Sequence, residues 1–567
     1  MDIKAAERLK SFAPIFEWLP RYEKGFLKSD LTAGVTAGAV IIPAAMGYAS
    51  LAGVPAEYGL YAAVVSLIAY FIFGTSKHLI VVPSSGPAAL VGTGLVGLVF
   101  ADSNQYIAAV AMLAFLAGLL LIIARMIKMG FIVNFISQTV LIGFQIGLAL
   151  YVIALQLGKI TGIEGASGEF IDLVIYYLQH INEASIPTMV LAVVGFGFLY
   201  VGKKVFKKLP LKFVLIILAT IAAILLPMVE KGIAVVGPIP DGLPSFVPPS
   251  MGGQTLGALM PIAVGLFLIT YIEGVSVGKT FASKGGYEMD NNQEFMAYGA
   301  ANMSASFFQG MPVDGSASNT SINFDSKAKT QLSGAVASLV IILVLLFFAS
   351  FFSNLPVVII GVVIVSSMVA LLDIKALRSV YAFDRLEFAF AITAMLGVLF
   401  FGLLQGIFIG VGLTLIALLY RFSKPKITQL GRIPGTTEYS DLERSPQNET
   451  TPGILVLRID GPLIFPSVAR VREEIKRLVR GGGKVELVVL SMRSAPYMDL
   501  PATEMLGNLY DELRAMGISM RLAEALGACR DSIMKAGLSE RFGELNPGMS
   551  VQKVIDDWFK GKKGELI

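Results

Sequence analysis

The feature that most restricts the fold is a long region, residues 30–420, built almost entirely of apolar runs. A helix needs about 20 predominantly apolar residues to cross a membrane. The whole chain is 55% hydrophobic and only 15% charged, which is typical of a multi-span membrane protein and far from a soluble enzyme. The sequence therefore predicts an α-helical membrane protein. The runs lie near 30–52, 58–74, 104–124, 130–152, 185–201, 211–227, 256–278, 292–309, 331–352, 355–372, 385–401 and 403–420.

Two polar segments, 81–89 and 311–319, interrupt this region and match each other. They read Val-Val-Pro-Ser-Ser-Gly-Pro-Ala-Ala and Met-Pro-Val-Asp-Gly-Ser-Ala-Ser-Asn, and share the pattern Pro-x-x-Gly-x-Ala at an offset of 229 residues. Because proline removes a backbone donor and breaks a helix, each segment is predicted to begin a short half-helix inside the membrane. With these half-helices the chain has fourteen transmembrane elements, seven in each half.

The basic residues between these elements predict how the chain crosses the membrane. If the N-terminus is cytoplasmic, the inner loops hold fifteen lysines and arginines, whereas the outer loops hold only Lys159 and Lys231. Cytoplasmic loops carry such an excess, and a wrong count of elements would scramble it. Because seven is odd, the second repeat (about 256–421) is inverted relative to the first (about 29–227), and both chain ends lie in the cytoplasm.

The composition changes on either side of the predicted transport domain, 29–421. Residues 422–451 are rich in Pro, Gly, Ser, Thr and charge, and are predicted to be a linker. Strand and helix patterns alternate through 452–567, which predicts a small cytoplasmic α/β domain. Residues 1–28 are polar and basic, and are either an amphipathic helix on the membrane surface or a soluble arm.

The two half-helices predict an anion site. The first N–H groups of a helix have no partner within it, and the helix dipole makes that end positive. Two such ends at one pocket can bind an anion without a basic side chain, and paired breaks mark the substrate site of a transporter. The alternative is that the small residues only allow close helix packing. The candidate substrate-binding residues are Tyr48 (as a pocket wall, unless it only packs or faces lipid), Ser84, Ser85, Gly86, Ser316, Ala317, Ser318 and Asn319.

A single carboxylate, Glu273, lies deep within an apolar run. A buried acid at membrane depth is costly and usually faces a cavity with a function. The repeat offset pairs Glu273 with Ala44, beside Pro43 of the first span. We predict that Glu273 binds the coupling cation, H⁺ or Na⁺; the alternative is a structural acid hydrogen-bonded to a half-helix. Asp314 is expected to cap the second half-helix at its outer mouth, without a role in substrate binding.

Other chemistries find little support in the composition. Cys529 is the only cysteine, and His78 and His180 are far apart, so neither a disulfide framework nor a Cys/His metal cluster is expected. The net charge of +4 does not suggest nucleic-acid binding. No nucleophile–base or metal constellation is present, so an enzyme is not expected, and no cofactor is predicted apart from the coupling ion.

Several motifs resemble the sulfate permease (SulP) family of anion transporters, which is solute carrier 26-like. They are Asp-Leu-Thr-Ala-Gly-Val-Thr-Ala-Gly at 30–38, Ile-Pro-Ala-Ala-Met-Gly-Tyr-Ala-Ser-Leu-Ala-Gly-Val-Pro at 42–55, Tyr-Gly-Leu-Tyr at 58–61, Phe-Gly-Thr-Ser-Lys at 73–77 and Lys-Thr-Gln-Leu-Ser-Gly at 329–334. The C-terminal domain, 452–567, resembles a STAS domain. The resemblance implies a seven-plus-seven inverted repeat, a core domain that moves against a gate domain in an elevator-like step, a homodimer, and substrate between the third and tenth elements.

Three positions depart from the family pattern. Many members have Gly where this chain has Val82, and Ser-Arg where it has Ser318-Asn319. The missing arginine removes a fixed positive charge from the site, which beside Glu273 favours cation-coupled uptake. The STAS loop usually reads Asp-Ser; here it reads Asp499-Leu500, so switching by phosphorylation there is not expected.

Taken together, these features predict a secondary active anion symporter, H⁺- or Na⁺-coupled, in the inner membrane of a bacterium. Sulfate is the leading substrate, and bicarbonate and C4-dicarboxylates are the alternatives. An uncoupled anion exchanger or channel, and a nucleobase–proton symporter of the same architecture, are the other hypotheses. The expected partners are a small inorganic or organic anion, the lipid bilayer and a second copy of the chain. Binding of nucleic acid is not expected.

Overall fold

The chain divides into two compact units, Met1–Thr414 and Leu415–Ile567. The structure, a computed structural model, describes residues 12–130, 137–166, 168–206, 210–226, 228–240, 242–542 and 545–564. Residues 1–11 of the predicted arm, 131–136 of a predicted span, and Lys207 and Lys208 of a predicted inner loop lie outside the described residues.

The first unit is built of helices whose bounds follow the apolar runs of the sequence. They are α1 (Leu27–Leu51), α2 (Ala56–Phe73), α3 (Ser85–Gly94), α4 (Ser103–Met126), α5 (Gln138–Thr161), α6 (Phe170–Gln179), α7 (Ile186–Val205), α8 (Leu211–Leu225), α9 (Leu256–Gly285), α10 (Asn291–Phe307), α11 (Ala317–Asp325), α12 (Leu332–Phe347), α13 (Ala349–Phe352), α14 (Val357–Val369), α15 (Ile374–Phe383), α16 (Arg385–Phe401) and α17 (Leu403–Phe422). Eight helices of the described residues are long and apolar enough to cross a membrane. The count of fourteen elements stays a prediction.

The span near 130–152 and the N-terminal arm differ from the expectation. The run near 130–152 ends too early, because α5 continues to Thr161; Lys159, expected in an outer loop, lies within this helix. Described residues of the arm do not form one continuous amphipathic helix. They form a short helix, Ile15–Trp18, and two 3₁₀ turns, and the aromatic rings of Phe12 and Trp18 pack against the C-terminal end of α2.

The helices pack into two bundles, and each bundle takes elements from both repeats. In the core bundle, α10 packs against α2 and α4, α12 against α1, and α9 against α3, α4 and α11. In the gate bundle, α5 packs against α14 and α16, and α14 also contacts α7. Glycines permit the close crossings: a Cβ on Gly143 would lie 1.9 Å from the carbonyl oxygen of Ala391. The bundles meet where α1 contacts α8 and α14.

The first unit also holds two short strands, β1 (Val81–Val82) and β2 (Asp314–Gly315). The second unit contains a five-stranded sheet with helices. Its strands are β3 (Lys426–Arg432), β4 (Tyr439–Asp441), β5 (Ile454–Asp460), β6 (Leu487–Ser491) and β7 (Ser519–Ala523), in the order β4-β3-β5-β6-β7. The last three strands are parallel, and β3 pairs antiparallel with both neighbours. The helices are α18 (Val468–Gly481), α19 (Leu500–Ala515), α20 (Gly527–Lys535), α21 (Ser539–Phe542) and α22 (Val551–Gly564).

The prediction that 422–451 is only a linker is wrong, because this segment supplies two strands of the sheet. Its strand β3 lacks a continuous apolar run and is only partly covered, with Leu430 as its one fully buried apolar side chain. The partner that fixes it is β5, which lies more than twenty residues further along the chain. Local composition therefore gave the appearance of a loop.

Candidate functional site

The two interrupted segments of the core bundle meet at a short antiparallel sheet. Its strands are β1 (Val81–Val82) and β2 (Asp314–Gly315), with Val81 opposite Gly315 and Val82 opposite Asp314. The backbone N–H of Ser316 extends the pairing by donating to the carbonyl oxygen of Ile80 at 3.0 Å. The segments that lie 229 residues apart in sequence are therefore in contact, as the repeat predicted.

Polar side chains satisfy the backbone groups that these breaks release. The amide of Asn302 spans Val313, donating to its carbonyl oxygen at 2.9 Å and accepting from its N–H at 3.0 Å. The hydroxyl of Ser66 donates to the Val81 carbonyl oxygen at 2.9 Å, and the hydroxyl of Thr320 accepts from the N–H of Ile80 at 3.1 Å. Irregular backbone is tolerated at membrane depth only when it is satisfied in this way.

Both half-helices begin at this sheet, where Ser84 and Ser316 are the N-cap residues of α3 and α11. Neither serine side chain caps its own helix. The hydroxyl of Ser84 is buried without a hydrogen-bond partner of ordinary geometry among the described residues. Their first N–H groups thus remain available to an anion, as the dipole argument requires.

A cavity of about 80 Å³ lies between these helix starts, α1, α9 and the gate helices α5 and α14. It is lined by Tyr48, Ser84, Ser85, Gln145, Glu273, Val277, Asp314, Gly315, Ser316, Ala317, Ser318, Ser367, Met368 and Leu371. Seven of the nine predicted site residues are thereby brought together. The other two lie just behind the wall: Gly86 packs against α9, and buried Asn319 donates to the Ser316 hydroxyl at 3.0 Å.

Glu273 reaches the cavity from the middle of α9, directly beside the start of α3. A Cβ built on Gly86 would lie 3.1 Å from Glu273 Oε2 and 2.7 Å from the Ile269 side chain. The next residue of α9, Gly274, contacts the other half-helix, since a Cβ on Gly315 would lie 2.7 Å from its Cα. Helix α9 therefore touches both breaks. A side chain at Gly315 would clash with the backbone of α9, whereas one at Gly86 would displace the side chains of Ile269 and Glu273.

The expectation that Asp314 caps a helix at the outer mouth is wrong. Its side chain is fully buried, it belongs to β2, and the residue at the N-cap of α11 is Ser316. Asp314 lies within hydrogen-bonding reach of both the Glu273 carboxyl group and the Ser84 hydroxyl. The site thus contains two adjacent carboxyl groups where the sequence predicted one. The signal available was the occurrence of an acid inside the second break itself.

Sequence reasoning also missed a polar chain on the gate side of the cavity. The hydroxyl group of Tyr48 lies within hydrogen-bonding reach of Ser367, a residue of α14 that lines the cavity. The ammonium group of Lys212, in the first turn of α8, donates to the same Ser367 hydroxyl at 2.7 Å. A positive charge therefore stands one side chain away from the cavity, at a position that the charge pattern assigned to an inner loop.

Comparison with known proteins identifies the fold and the family. The sequence profile described as the sulfate permease family matches residues 27–394, and that of the STAS domain matches residues 445–554. The chain belongs to the sulfate permease family. A probable sulfate transporter of Mycobacterium tuberculosis is 32% identical over 96% of this chain and 97% of its own length. The chloroplastic sulfate transporter 4.1 of Arabidopsis thaliana is 29% identical over 96% of this chain and 82% of its own length.

Solved structures agree with this assignment. The structure of murine solute carrier 26 family member A9, an anion transporter, superposes with a TM-score of 0.86 at 21% identity, covering 98% of this chain and 95% of its own. The transmembrane domain of the cyanobacterial bicarbonate transporter BicA gives a TM-score of 0.62 at 23% identity, covering 69% of this chain and 99% of its own. The predicted fold class is confirmed: this sulfate permease family member is a helical membrane transporter of anions with a C-terminal STAS domain, and not an enzyme.

In the STAS domain of this family member, the Asp499-Leu500 pair starts helix α19. The Asp499 carboxylate accepts from the N–H of Ala502 at 3.0 Å and from the N–H of Phe465 at 2.7 Å. The Leu500 side chain is 64% exposed, so the position usually held by serine is accessible but offers no hydroxyl group.

Proposed function

We propose that this chain is a secondary active symporter that takes up a small oxyanion, with sulfate first, together with H⁺ or Na⁺. The observation that carries the proposal is the meeting of two half-helix N-termini and the intramembrane carboxylate of Glu273 at a single small cavity. The helix ends supply N–H donors and positive potential for the anion. Glu273 supplies the negative charge that a cation would neutralise.

The size of the cavity favours a compact substrate. Its volume of about 80 Å³ is enough for several water molecules or for one compact anion. Sulfate and bicarbonate suit this space better than a C4-dicarboxylate, and a planar nucleobase suits it least. Bicarbonate remains the second candidate because the BicA transmembrane domain shares the fold.

Coupled uptake is preferred over an uncoupled exchanger or channel because of the charges at the site. Asn319 stands where many family members carry arginine, and its amide is engaged with the Ser316 hydroxyl. No lysine, arginine or histidine lines the cavity among the described residues. A cation bound at Glu273 would replace the missing fixed charge and leave with the anion.

Transport by an elevator-like movement of the core bundle against the gate bundle fits the packing. All substrate-binding candidates except Tyr48 lie on the two breaks, which are tied together by β1 and β2. An apolar crevice lined by α5, α9 and α17 also reaches Glu273, so the surfaces that would slide carry few polar contacts. We further propose a homodimer and an inner-membrane location. We also propose cytoplasmic termini, which the excess of basic residues in the inner loops supports.

The test is uptake by the purified protein in proteoliposomes, with labelled sulfate, bicarbonate or fumarate under an imposed proton or sodium gradient. We expect gradient-driven accumulation of sulfate, and we expect Glu273→Gln to abolish accumulation while retaining some binding of the anion. Glu57→Gln, at the start of α2 and outside the cavity, is the control. Accumulation by Glu273→Gln at the parental level would refute the coupling role, and accumulation of fumarate alone would refute the substrate assignment.

A further inference from the structure

We propose that Asp314 and Glu273 together form a two-carboxyl cation site, so that two monovalent cations accompany each anion. This inference rests on the proposed function and deepens it, because a single coupling acid would carry one cation. The juxtaposition that carries it is the burial of Asp314 between Glu273 and Ser84, at the start of the second half-helix.

The two carboxylate oxygens of Asp314 differ from those of other buried acids in the same unit. Both are buried without a hydrogen bond of ordinary geometry from the described residues, and so is the hydroxyl oxygen of Ser84 beside them. By contrast, the Asp30 carboxylate accepts four hydrogen bonds and that of Glu294 accepts three, from backbone N–H and hydroxyl donors. A buried acid with unmet acceptors is a place for a ligand that supplies positive charge.

Among the described residues, no lysine, arginine or histidine lines the cavity beside the pair. Within the described residues, the titratable groups that face the pair are the hydroxyl groups of Tyr48 and Tyr298, and neither can become a cation. The ammonium group of Lys212 is held by Ser367, on the gate side of the cavity. Two adjacent carboxyl groups in a medium of low dielectric cannot both stay ionised, and their titrations are coupled.

The charge of the same pair also controls whether an anion can bind in the cavity. Both acids line the cavity whose other wall consists of the half-helix N-termini. An incoming oxyanion would be repelled by any negative charge left on the pair, so anion binding favours the state in which both carboxyl groups are neutralised. Two protons would do this by forming O–H bonds, and a sodium ion between the carboxylates and the Ser84 hydroxyl would do it with one proton.

The number of cations per anion follows from the net charge that moves with each sulfate, which is the ratio of electrical current to labelled flux. In proteoliposomes, current and labelled sulfate flux are recorded together, first with a proton gradient and no sodium, then with a sodium gradient at constant pH. We expect two cations per anion in the parent, which makes sulfate transport electroneutral, and one in Asp314→Asn, which adds one net negative charge to each cycle. The difference of one charge between parent and variant is the same whatever the charge of the anion.

A matched control is Asp102→Asn, an acid at the N-cap of α4, where the side-chain oxygen that accepts from the Gln105 N–H is retained. It should keep the parental ratio. A parental ratio of one overturns this inference while the symport proposal survives, and this outcome does not depend on whether Asp314→Asn folds. A parental ratio of two that is unchanged in Asp314→Asn also overturns it. Uptake that responds to neither gradient overturns both proposals.

Discussion

The membrane unit and the C-terminal unit treat their acidic side chains in opposite ways. In the C-terminal unit, carboxylates pair with arginine and lysine: Asp460 lies 2.6 Å from Arg458, and Glu512 contacts Arg472 and lies 3.1 Å from Lys476. In the membrane unit, the Asp30 carboxylate is held by neutral N–H and O–H donors. The difference is one of partners: basic side chains in the C-terminal unit, and neutral N–H and O–H donors at Asp30 in the membrane unit.

The physical reason is the difference in surroundings: water at the surface of the C-terminal unit, and the lipid bilayer around the membrane unit. An ion pair near water is screened and contributes little, so it can be made and lost freely. In a membrane a charged pair is expensive to bury, and neutral donors stabilise an acid without adding a second charge. Among the described residues of the membrane unit, Asp314 is fully buried yet lacks such donors in ordinary geometry, and it lies at the candidate site.

The largest expected effect is on a membrane-unit acid that is fully satisfied. Glu294→Ala would leave the hydroxyl of Tyr70 and the N–H and hydroxyl of Thr75 without their acceptor. Each buried group left unpaired costs about 1–3 kcal/mol, so the free energy of unfolding should fall by roughly 3 kcal/mol or more. Thermal unfolding of the purified protein measures this, and Glu294→Gln, which keeps one acceptor oxygen, should lose clearly less. Equal melting temperatures of the parent and Glu294→Ala would show that the hydrogen bonds from neutral donors to this acid do not stabilise the membrane unit.

The next effect concerns the close approach of α9 to the first break. Gly86→Ala should push the Ile269 side chain and the Glu273 carboxylate away from α3, because the new methyl group lies 2.7 Å and 3.1 Å from them. We expect uptake to fall about tenfold, equivalent to about 1.4 kcal/mol, with little change in the melting temperature. Gly197→Ala, in helix α7 with nothing within 4 Å of the added methyl, is the control. Unchanged uptake would show that this contact does not position the acid.

A smaller effect is expected at the buried ammonium group of the gate. Lys212→Gln removes the positive charge that Ser367 holds beside the cavity. Because this charge acts on the anion through one intervening side chain, we expect the KM for sulfate to rise roughly two- to fivefold, the size of a modest charge interaction. Lys204→Gln, an exposed residue that donates to the Tyr200 hydroxyl, should not change it. A KM that changes equally in both variants would point to a non-specific surface effect.

The smallest effect is on an ion pair of the C-terminal unit. Hydrogen bonds from Arg472 and then Lys476 lower the pKa of Glu512, so the stabilisation is present above the unfolded-state pKa, about 4.3, and is lost as the pH falls through the folded-state pKa. Glu512→Gln should therefore destabilise α18 and α19 by less than about 1 kcal/mol at pH 7. Hydrogen exchange of these helices in the full chain measures the loss, which should vanish at acidic pH. A larger loss at acidic pH than at pH 7 would contradict the assigned direction.

Much of the fold and part of the candidate site could be predicted from the sequence, because they depend on local sequence patterns. Apolar runs of membrane length gave the helices, prolines at a constant offset gave the half-helices, and the isolation of Glu273 in an apolar run gave the acid of the site. What escaped prediction depends on contacts between distant elements. The sequence predicts the second half-helix after Pro312, but the chain stays extended through Gly315, because β2 pairs with β1, and α11 begins only at Ala317. The link from Lys212 to Ser367 likewise joins residues of different helices, which no spacing rule records.

The two-residue pairing of β1 with β2 has a consequence for how a structural displacement is transmitted through the molecule. Since Val82 and Asp314 are neighbours in that ladder, a displacement of one half-helix start is transmitted to the other without passing through a loop. An insertion or deletion near Pro83 should thus disturb the binding geometry contributed by the opposite repeat, more than two hundred positions away. The two halves of the repeat therefore depend on each other geometrically, and neither half-helix start can move alone.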